Sequence, residues 1–181
     1  MEDRREAFYH ERIRESGPEY SGFDLLSAEI TLNLIYAYDV FHQLSARYMA
    51  AYGLSKSTLN ILMLLRHGSP EGMQLHDLGE LLLVSKANIT GLIDHLEGKD
   101  LVKRVISARD RRARFARITK KGEALLDEVV PVHYQNVKRL LDDLTNDDKH
   151  TLIKLLRKTR ASLMANSTTL RNEQVRGSMR E

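Results

Sequence analysis

Two short apolar-periodic segments within residues 74–119, and a basic stretch that begins there and ends at Lys121, constrain the fold more than any other feature. The second segment, residues 85–99, reads SKANITGLIDHLEGK, and a helical period places four apolar residues on one face: Ile89, Leu92, Ile93 and Leu96. The opposite face carries small or hydrogen-bonding side chains: Ala87, Asn88, Thr90, Gly91, Asp94 and His95. A solvated helix more often carries Glu–Lys pairs there. This narrow polar face therefore favours insertion of the helix into a groove.

The flanking residues predict a helix-turn-helix followed by a β-hairpin. Residues 74–83 form the first apolar-periodic segment, and about three residues separate it from the second, a spacing typical of a helix-turn-helix. Ser85 is a good N-cap for the second helix. Residues 101–107 and 115–118 are β-branched or alternating and predict two strands. Helix, turn, helix and hairpin, in this order, indicate a winged helix.

The predicted hairpin and the residues just after it are strongly basic. Residues 103–121 contain nine Lys or Arg and one acid, a net charge of +8, whereas the whole chain carries +3. Subtracting +8 from +3 leaves −5 for the rest of the chain. A basic hairpin on an otherwise acidic protein indicates contact with the phosphates of a nucleic acid. The alternative is a solvated hairpin without a partner.

These residues resemble the multiple-antibiotic-resistance-regulator (MarR) family of bacterial transcription factors. The wing of that family carries an Asp-x-Arg motif that leads to Leu-Thr or Ile-Thr at the start of the next helix. Here Asp110-Arg111-Arg112 leads to Ile118-Thr119, and residues 98–102 match the Gly-x-x-Leu-Val that follows the family's recognition helix. The resemblance covers roughly residues 28–164. Many members have Arg at the positions of Gly91 and His95, so this chain departs from the family at two base-contacting positions.

The predicted mode of DNA binding follows from groove dimensions. We expect the recognition helix to enter the major groove and the arginine-rich wing to reach the adjacent minor groove, whose negative potential attracts arginine. By resemblance, Arg112 is the inserting residue, and Asp110 holds it or a neighbour in position. Phosphate contacts are expected from Arg109, Arg111 and Arg114. The other predicted contact residues are Gln74, Ser85, Lys86, Ala87, Asn88, Thr90, Gly91, His95 and Arg104.

Residue types within the recognition helix indicate different contacts. The amide of Asn88 can pair with adenine, and Ala87 can contact a thymine methyl group. Gly91 lowers helix stability by roughly 1 kcal/mol relative to alanine, which suggests a close approach of the backbone to DNA. Drift at a tolerant position is the alternative for Gly91. His95 either contacts phosphate or is solvated.

Amphipathic segments also lie on both sides of the winged helix, which predicts a mainly α fold with a small β-hairpin wing. The expected parts are an N-terminal extension (1–24), a helical dimerisation region (25–54 and 119–164), a winged helix-turn-helix DNA-binding domain (55–118) and a flexible tail (165–181). The extension is either a floppy leader or a short helix. Pro131 should kink or break a helix. The apolar stripes must be buried either within the chain or, as the resemblance supports, in a homodimer.

The resemblance also implies a small-molecule site, because relatives bind aromatic carboxylates or phenols between the dimer helices and the winged helix. Eight residues on the corresponding segments combine apolar surface with polar groups: Tyr36, Tyr38, His42, Arg47, Tyr48, Met63, His67 and Arg117. The alternative is that these residues belong to the core or to an interface.

Several functional classes are excluded by what the sequence lacks. The chain has no cysteine, which fits a reducing compartment and excludes a cysteine zinc site or a thiol switch. It has no apolar run long enough to span a membrane and no signal peptide, so we expect it in the cytoplasm. Its seven histidines form no HExxH motif, and no P-loop, GxGxxG or GxSxG is present. We therefore expect no metal, no cofactor and no enzymatic activity.

The sequence thus predicts a homodimeric, DNA-binding transcription regulator. We expect a repressor that binds a palindromic operator in double-stranded DNA and is released by a small aromatic ligand. The alternative is a winged-helix module for protein–protein contact or architectural packing of nucleic acid. A sequence-specific footprint would distinguish the two, because architectural binding is non-specific and salt-sensitive.

Overall fold

The structure is a computed structural model that describes residues 4–106 and 114–178; for residues 5, 6, 106 and 168–178 it describes the backbone alone. A single-turn 3-10 helix, Gly17–Glu19, follows the first helix. The remaining elements are α1 (Arg4–Ser16), α2 (Leu25–Ala51), α3 (Lys56–His67), β1 (Met73–Gln74), α4 (Leu75–Leu82), α5 (Lys86–Gly98), β2 (Val102–Ile106), β3 (Arg114–Ile118), α6 (Lys120–Leu140) and α7 (Asn146–Ser178). The expectation of a mainly helical fold with a small β-wing is confirmed.

Short polar side chains begin the helices of the winged helix where the sequence predicts them. Ser55 Oγ accepts a hydrogen bond from the Thr58 amide at 3.2 Å, and the Ser55 amide donates to Thr58 Oγ1 at 2.7 Å. Ser85 Oγ accepts from the Asn88 amide at 3.3 Å. These bonds satisfy amides that have no partner within the helix. The predicted N-caps of α3 and α5 are confirmed.

The predicted hairpin is part of a three-stranded antiparallel sheet in the order β1-β3-β2. Strand β3 lies in the middle, with Met73 opposite Ala116 on one side and Arg104 opposite Ala116 on the other. Strand β1 has only two residues, which is too short to show the alternation by which strands are recognised. The sequence analysis therefore missed it.

Two helices bear on predictions about where helices end. Helix α6 continues through Pro131, which excludes a break there and leaves the predicted kink a prediction. Helix α7 ends at Ser178 rather than near Met164, and the backbone of residues 165–178 is helical where a flexible tail was predicted. No proline interrupts this stretch, and extending an existing helix costs far less than starting one.

Residues 4–16 form a helix, as one of the two alternatives for the N-terminal extension predicts. Arg14 Nη2 donates to Glu29 Oε1 at 2.9 Å, and the rings of Tyr9 and Tyr36 lie 5.8 Å apart. These contacts hold α1 against α2.

The hydrophobic core lies within residues 1–132, the first of two compact units. Its side chains come from α2 to α6 and both wing strands, and the fully buried ones include Ile61, Leu62, Leu78, Ile89, Ile93, Leu96 and Leu126. Close packing at the start of α6 requires glycine, because a Cβ on Gly122 would lie 2.3 Å from the Leu101 carbonyl oxygen. Burial of the apolar face of α5 in this core fixes the position of the helix.

The second compact unit, residues 133–181, has a different character. Thr145 and Asp148 cap α7 reciprocally, with backbone amide bonds of 3.0 and 3.2 Å. Among residues 133–167, for which side chains are described, none is buried. Six apolar side chains of α7 are 42–69% exposed: Leu152, Ile153, Leu155, Leu156, Leu163 and Met164. None of the described helices is both long and apolar enough to cross a membrane.

Candidate nucleic-acid interface

Helix α5 separates its two faces as the sequence predicts. Ile89, Ile93 and Leu96 are at most 1% exposed, whereas all six residues assigned to the outer face are exposed. No atom of the residues that the structure describes lies within 4 Å of the position that a Cβ on Gly91 would occupy. Packing within the chain therefore does not require glycine at position 91, and the outer face presents a shallow polar surface.

The turn before α5 sets the angle between the two helices of the helix-turn-helix. Leu83 ends α4 in the left-handed region, with φ of 55°, and its amide donates to the Glu80 carbonyl at 3.1 Å. The Val84 amide then donates to the Gly79 carbonyl at 3.0 Å. A non-glycine residue in this conformation costs about 1–2 kcal/mol. The hydrophobic contacts of α4 and α5 offset this strain and leave the Leu83 side chain 93% exposed.

The wing begins as a regular antiparallel pair, in which Val102 lies opposite Ile118 and Ile106 opposite Arg114. Residues 107–113 lie outside the described part of the chain. The predictions for Arg109, Asp110, Arg111 and Arg112 therefore stay predictions. The described strands do place the two ends of this basic segment side by side.

A cleft of about 840 Å³ lies between α4, α5 and β3. Four predicted DNA-contacting residues line it: Gln74, Lys86, Thr90 and Arg114. Its apolar wall includes Leu75, Val84 and Ile89. The structure thus brings residues from three elements together on one side of the winged helix, where a duplex could meet them at the same time.

Arg104, another predicted DNA contact, is paired within the chain. Its guanidinium forms salt bridges with Asp94 and Glu97, and its backbone amide donates to Glu97 Oε1 at 2.9 Å. The hydrogen bond from this amide holds the pKa of Glu97 below its ordinary value. The sequence analysis did not assign Asp94 and Glu97 as partners of Arg104, although their i,i+3 spacing places them on one helix face.

Four of the eight predicted ligand-binding residues line two neighbouring cavities. Tyr38 and His42 stack with ring centroids 5.6 Å apart and line a cavity of about 370 Å³. Met63 and His67 line a second cavity of about 510 Å³. Three residues border both cavities: Asn60, Leu81 and Leu82.

The other four predicted ligand-binding residues lie elsewhere. Tyr36 contacts the Tyr9 ring of α1, and Tyr48 packs against the hydrophobic core. Arg47 and Arg117 are exposed on α2 and β3 and line neither of the two cavities. The sequence analysis missed Lys56, whose ammonium lies 5.0 Å from the centroid of the Tyr38 ring. Only the packing of α3 on α2 places this cation there.

No cluster of three or more metal-ligating side chains occurs among the residues that the structure describes. His76 pairs instead with Glu80, one turn along α4, at 3.1 Å.

Comparisons with known proteins agree with this geometry. The sequence profile of the MarR family matches residues 52–113. BadR of Rhodopseudomonas palustris, a transcriptional activatory protein, is 34% identical over 137 residues, which is 73% of this chain and 77% of BadR. The transcriptional repressor YetL of Bacillus subtilis is 28% identical over 147 residues, which is 81% of this chain and 88% of YetL.

The fold is similar to that of a solved protein–DNA complex. The repressor CouR, solved with a 23-mer DNA duplex, is 25% identical and superposes with a TM-score of 0.68 over 75% of this chain and 94% of CouR. The residues that match the family profile, 52–113, include both helices of the helix-turn-helix and strand β2. The chain therefore belongs to the MarR family of winged helix-turn-helix transcription regulators, and it is a DNA-binding regulator and not an enzyme.

Proposed function

We propose that this protein acts in the cytoplasm as a homodimeric repressor that binds a palindromic operator and is released by a small aromatic carboxylate or phenol. The observation that carries the proposal is the exposed polar face of α5, held on a buried apolar face beside the wing strands. The similarity to YetL and CouR, both named repressors, supports repression. BadR is named an activatory protein, so a separate test has to distinguish repression from activation.

The recognition helix and the wing meet different grooves in this proposal. Helix α5 enters the major groove, where Asn88 pairs with adenine and Ala87 meets a thymine methyl group. Ser85, Lys86 and Arg114 contact phosphates near the helix N-terminus and the base of the wing. Arg112 enters the adjacent minor groove, where electrostatic potential matters more than base identity.

Dimerisation supplies the second half of the operator contact. The exposed apolar side chains of α7 and of α2, including Leu26 and Ile30 at 69% and 55% exposure, are the surfaces that a second copy would cover. A twofold dimer presents two recognition helices to two half-sites about one helical turn apart. A palindromic operator matches this symmetry.

The cavity that contains Tyr38 and His42 is the proposed effector site. An aromatic ring can stack beside these rings, and the Lys56 ammonium can balance a carboxylate or phenolate. The cavity is formed by α2, α3 and the end of α4, so a ligand there touches both the long helix and the helix-turn-helix. The ligand would hold the recognition helices at a separation unsuited to DNA.

Selection of bound sequences from random DNA tests the proposal, and repeating it with a panel of phenolic acids tests the effector. A twofold-symmetric consensus that one of these acids weakens is the expected result. Linkage then requires DNA to weaken binding of that acid by the same factor. Binding that depends on salt but shows no sequence preference would instead favour an architectural role. A promoter–reporter fusion with the selected operator decides between repression and activation.

Two substitutions test the assignment of grooves. Asn88→Ala should cost about 1–3 kcal/mol on the best operator and much less on an operator changed at the contacted base. Arg112→Ala should weaken binding to most sequences and reduce the salt slope by about 1. An unchanged salt slope for Arg112→Ala, together with equal losses on all operators for Asn88→Ala, would overturn the assignment.

A further inference from the structure

A single wing residue, Arg104 of β2, makes contacts along two turns of the recognition helix. Its amide donates to Glu97 Oε1 at 2.9 Å, its guanidinium pairs with Glu97 and Asp94, and Nη2 reaches the Thr90 carbonyl oxygen at 3.4 Å. Residues 90, 94 and 97 follow one another at helical spacing and so share one side of α5. Arg104 therefore joins strand β2 to residues 90–97 of α5.

The charges of this cluster argue against a phosphate contact by Arg104. One guanidinium between two carboxylates leaves a net charge of −1, which repels DNA phosphates rather than attracting them. The Arg104 side chain is 25% exposed, whereas those of Asp94 and Glu97 are 59% and 39% exposed. The two acidic side chains are thus more accessible than the guanidinium that they pair with.

The chemistry of the cluster requires arginine rather than any cation. The planar guanidinium has five N–H donors in a fixed arrangement and can serve two carboxylates and a carbonyl together, whereas a lysine ammonium is a compact point charge. The lowered pKa of Glu97 agrees with a carboxylate that is stabilised in its charged form. The cluster therefore restrains orientation as well as distance.

We propose that Arg104 is a positioning residue that fixes the wing against the recognition helix, so that both reach their grooves as one rigid body. This inference rests on the proposed placement of α5 in the major groove and of the wing in the minor groove. Once α5 is bound, the wing contact is an intramolecular event whose strength depends on effective concentration. Fixing the wing in advance raises that concentration and lowers the entropic cost of binding.

Glu97→Gln gives the sharpest test, because the two roles of Arg104 predict opposite signs. If the cluster positions the wing, weakening it should lower affinity for the selected operator several-fold. If Arg104 instead contacts phosphate, removing a competing negative charge should tighten binding. Glu128→Gln is the matched control, since Glu128 lies on α6 outside this cluster. Tighter binding by Glu97→Gln, with an unchanged melting temperature, would overturn the inference.

A double-mutant cycle between Arg104→Lys and Arg112→Ala tests the coupling directly. In the wild-type background, Arg104→Lys should weaken operator binding about tenfold, because the wing is no longer held in its binding orientation. In the Arg112→Ala background the same substitution should have little effect, since the wing contact is already lost. Asn88→Ala should lower operator affinity by the same factor whether residue 104 is arginine or lysine. Additive losses of Arg104→Lys and Arg112→Ala would overturn the inference.

The cycle also separates this inference from the proposed function. If Arg112→Ala causes no loss even in the wild-type background, the proposed minor-groove contact fails and the positioning role fails with it. If Arg112→Ala causes its expected loss but the cycle is additive, the proposed function stands and the positioning role alone is wrong. Melting temperatures of all variants, measured without DNA, identify any loss that comes from unfolding.

Discussion

At the level of single residues, two helical glycines differ in their surroundings and give opposite predictions for alanine. A Cβ on Gly122 would lie 2.3 Å from the Leu101 carbonyl oxygen and 2.8 Å from Ile118 Cγ1. Backbone at such a contact cannot move aside cheaply, so Gly122→Ala should lower the free energy of unfolding by about 1–3 kcal/mol. Urea unfolding measures the change, and an unshifted midpoint would contradict the close packing of α6 on residue 101.

Gly91→Ala is both the matched control and a test of the DNA-facing surface. In the described part of the chain no atom lies within 4 Å of the added Cβ, so this substitution should raise the free energy of unfolding by up to about 1 kcal/mol. If the α5 backbone approaches DNA closely at Gly91, operator affinity should fall although the protein is more stable. A more stable variant with undiminished operator affinity would favour drift at a tolerant position.

The pH dependence of stability can be derived for Glu97. Its pKa is lowered from the ordinary value of 4.5, chiefly by the Arg104 amide, so the unfolded chain binds a proton more readily than the folded one. The stabilisation is therefore complete above pH 4.5 and is lost as the pH falls through the lower folded value. When the free energy of unfolding is measured as a function of pH, it should fall less steeply at acid pH for Glu97→Gln than for the wild type. An equally steep fall would contradict the role of Glu97 in the cluster.

At the level of elements, Lys99 joins the ends of α2 and α5. Its ammonium donates to the Gly53 carbonyl at 2.7 Å, while its own carbonyl accepts from Lys121 Nζ at 2.8 Å. Lys99→Met keeps the apolar stem but removes the donor, and should lower the free energy of unfolding by about 0.5–1.5 kcal/mol. Lys154→Met on the exposed surface of α7 is the control and should change it much less. Equal effects of the two substitutions would show that the Gly53 bond contributes nothing.

For the whole molecule, the exposed apolar side chains of α7 predict the oligomeric state. Leu152 and Leu156 lie one turn apart, each 42% exposed, and a dimer interface would bury both. The double substitution Leu152→Glu and Leu156→Glu should therefore produce a monomer that loses affinity for the palindrome. Sedimentation velocity measures the first effect and operator binding the second. A Leu83→Glu variant, altered at the exposed turn before α5, should sediment like the wild type.

A double variant that sediments as a dimer would place the interface elsewhere. Partial dissociation that increases on dilution would still support the interface, because dimer stability depends on protomer concentration. Loss of palindrome binding without dissociation would contradict the link between dimerisation and operator contact.

The sequence by itself determined the features that depend on residues within about one helical turn of each other. The apolar face of α5, the N-caps of α3 and α5, and the basic charge of the wing are local patterns, because helix periodicity, capping and composition need only near neighbours. The family motif in the wing is local in the same sense. For this reason the winged helix and the exposed polar face of α5 could be predicted without coordinates.

The tertiary structure alone decided which distant residues meet. Strand β1 exists because Met73 pairs with Ala116, and its two residues carry no periodicity of their own. Tyr36 and Tyr38 are two residues apart, yet one contacts α1 and the other lines a cavity beside α3, because positions two apart on a helix face different neighbours. Arg104 counts as one more basic residue in the sequence, but packing of β2 on α5 places two carboxylates around it. Such contacts follow from the packing of whole elements, which no local pattern encodes.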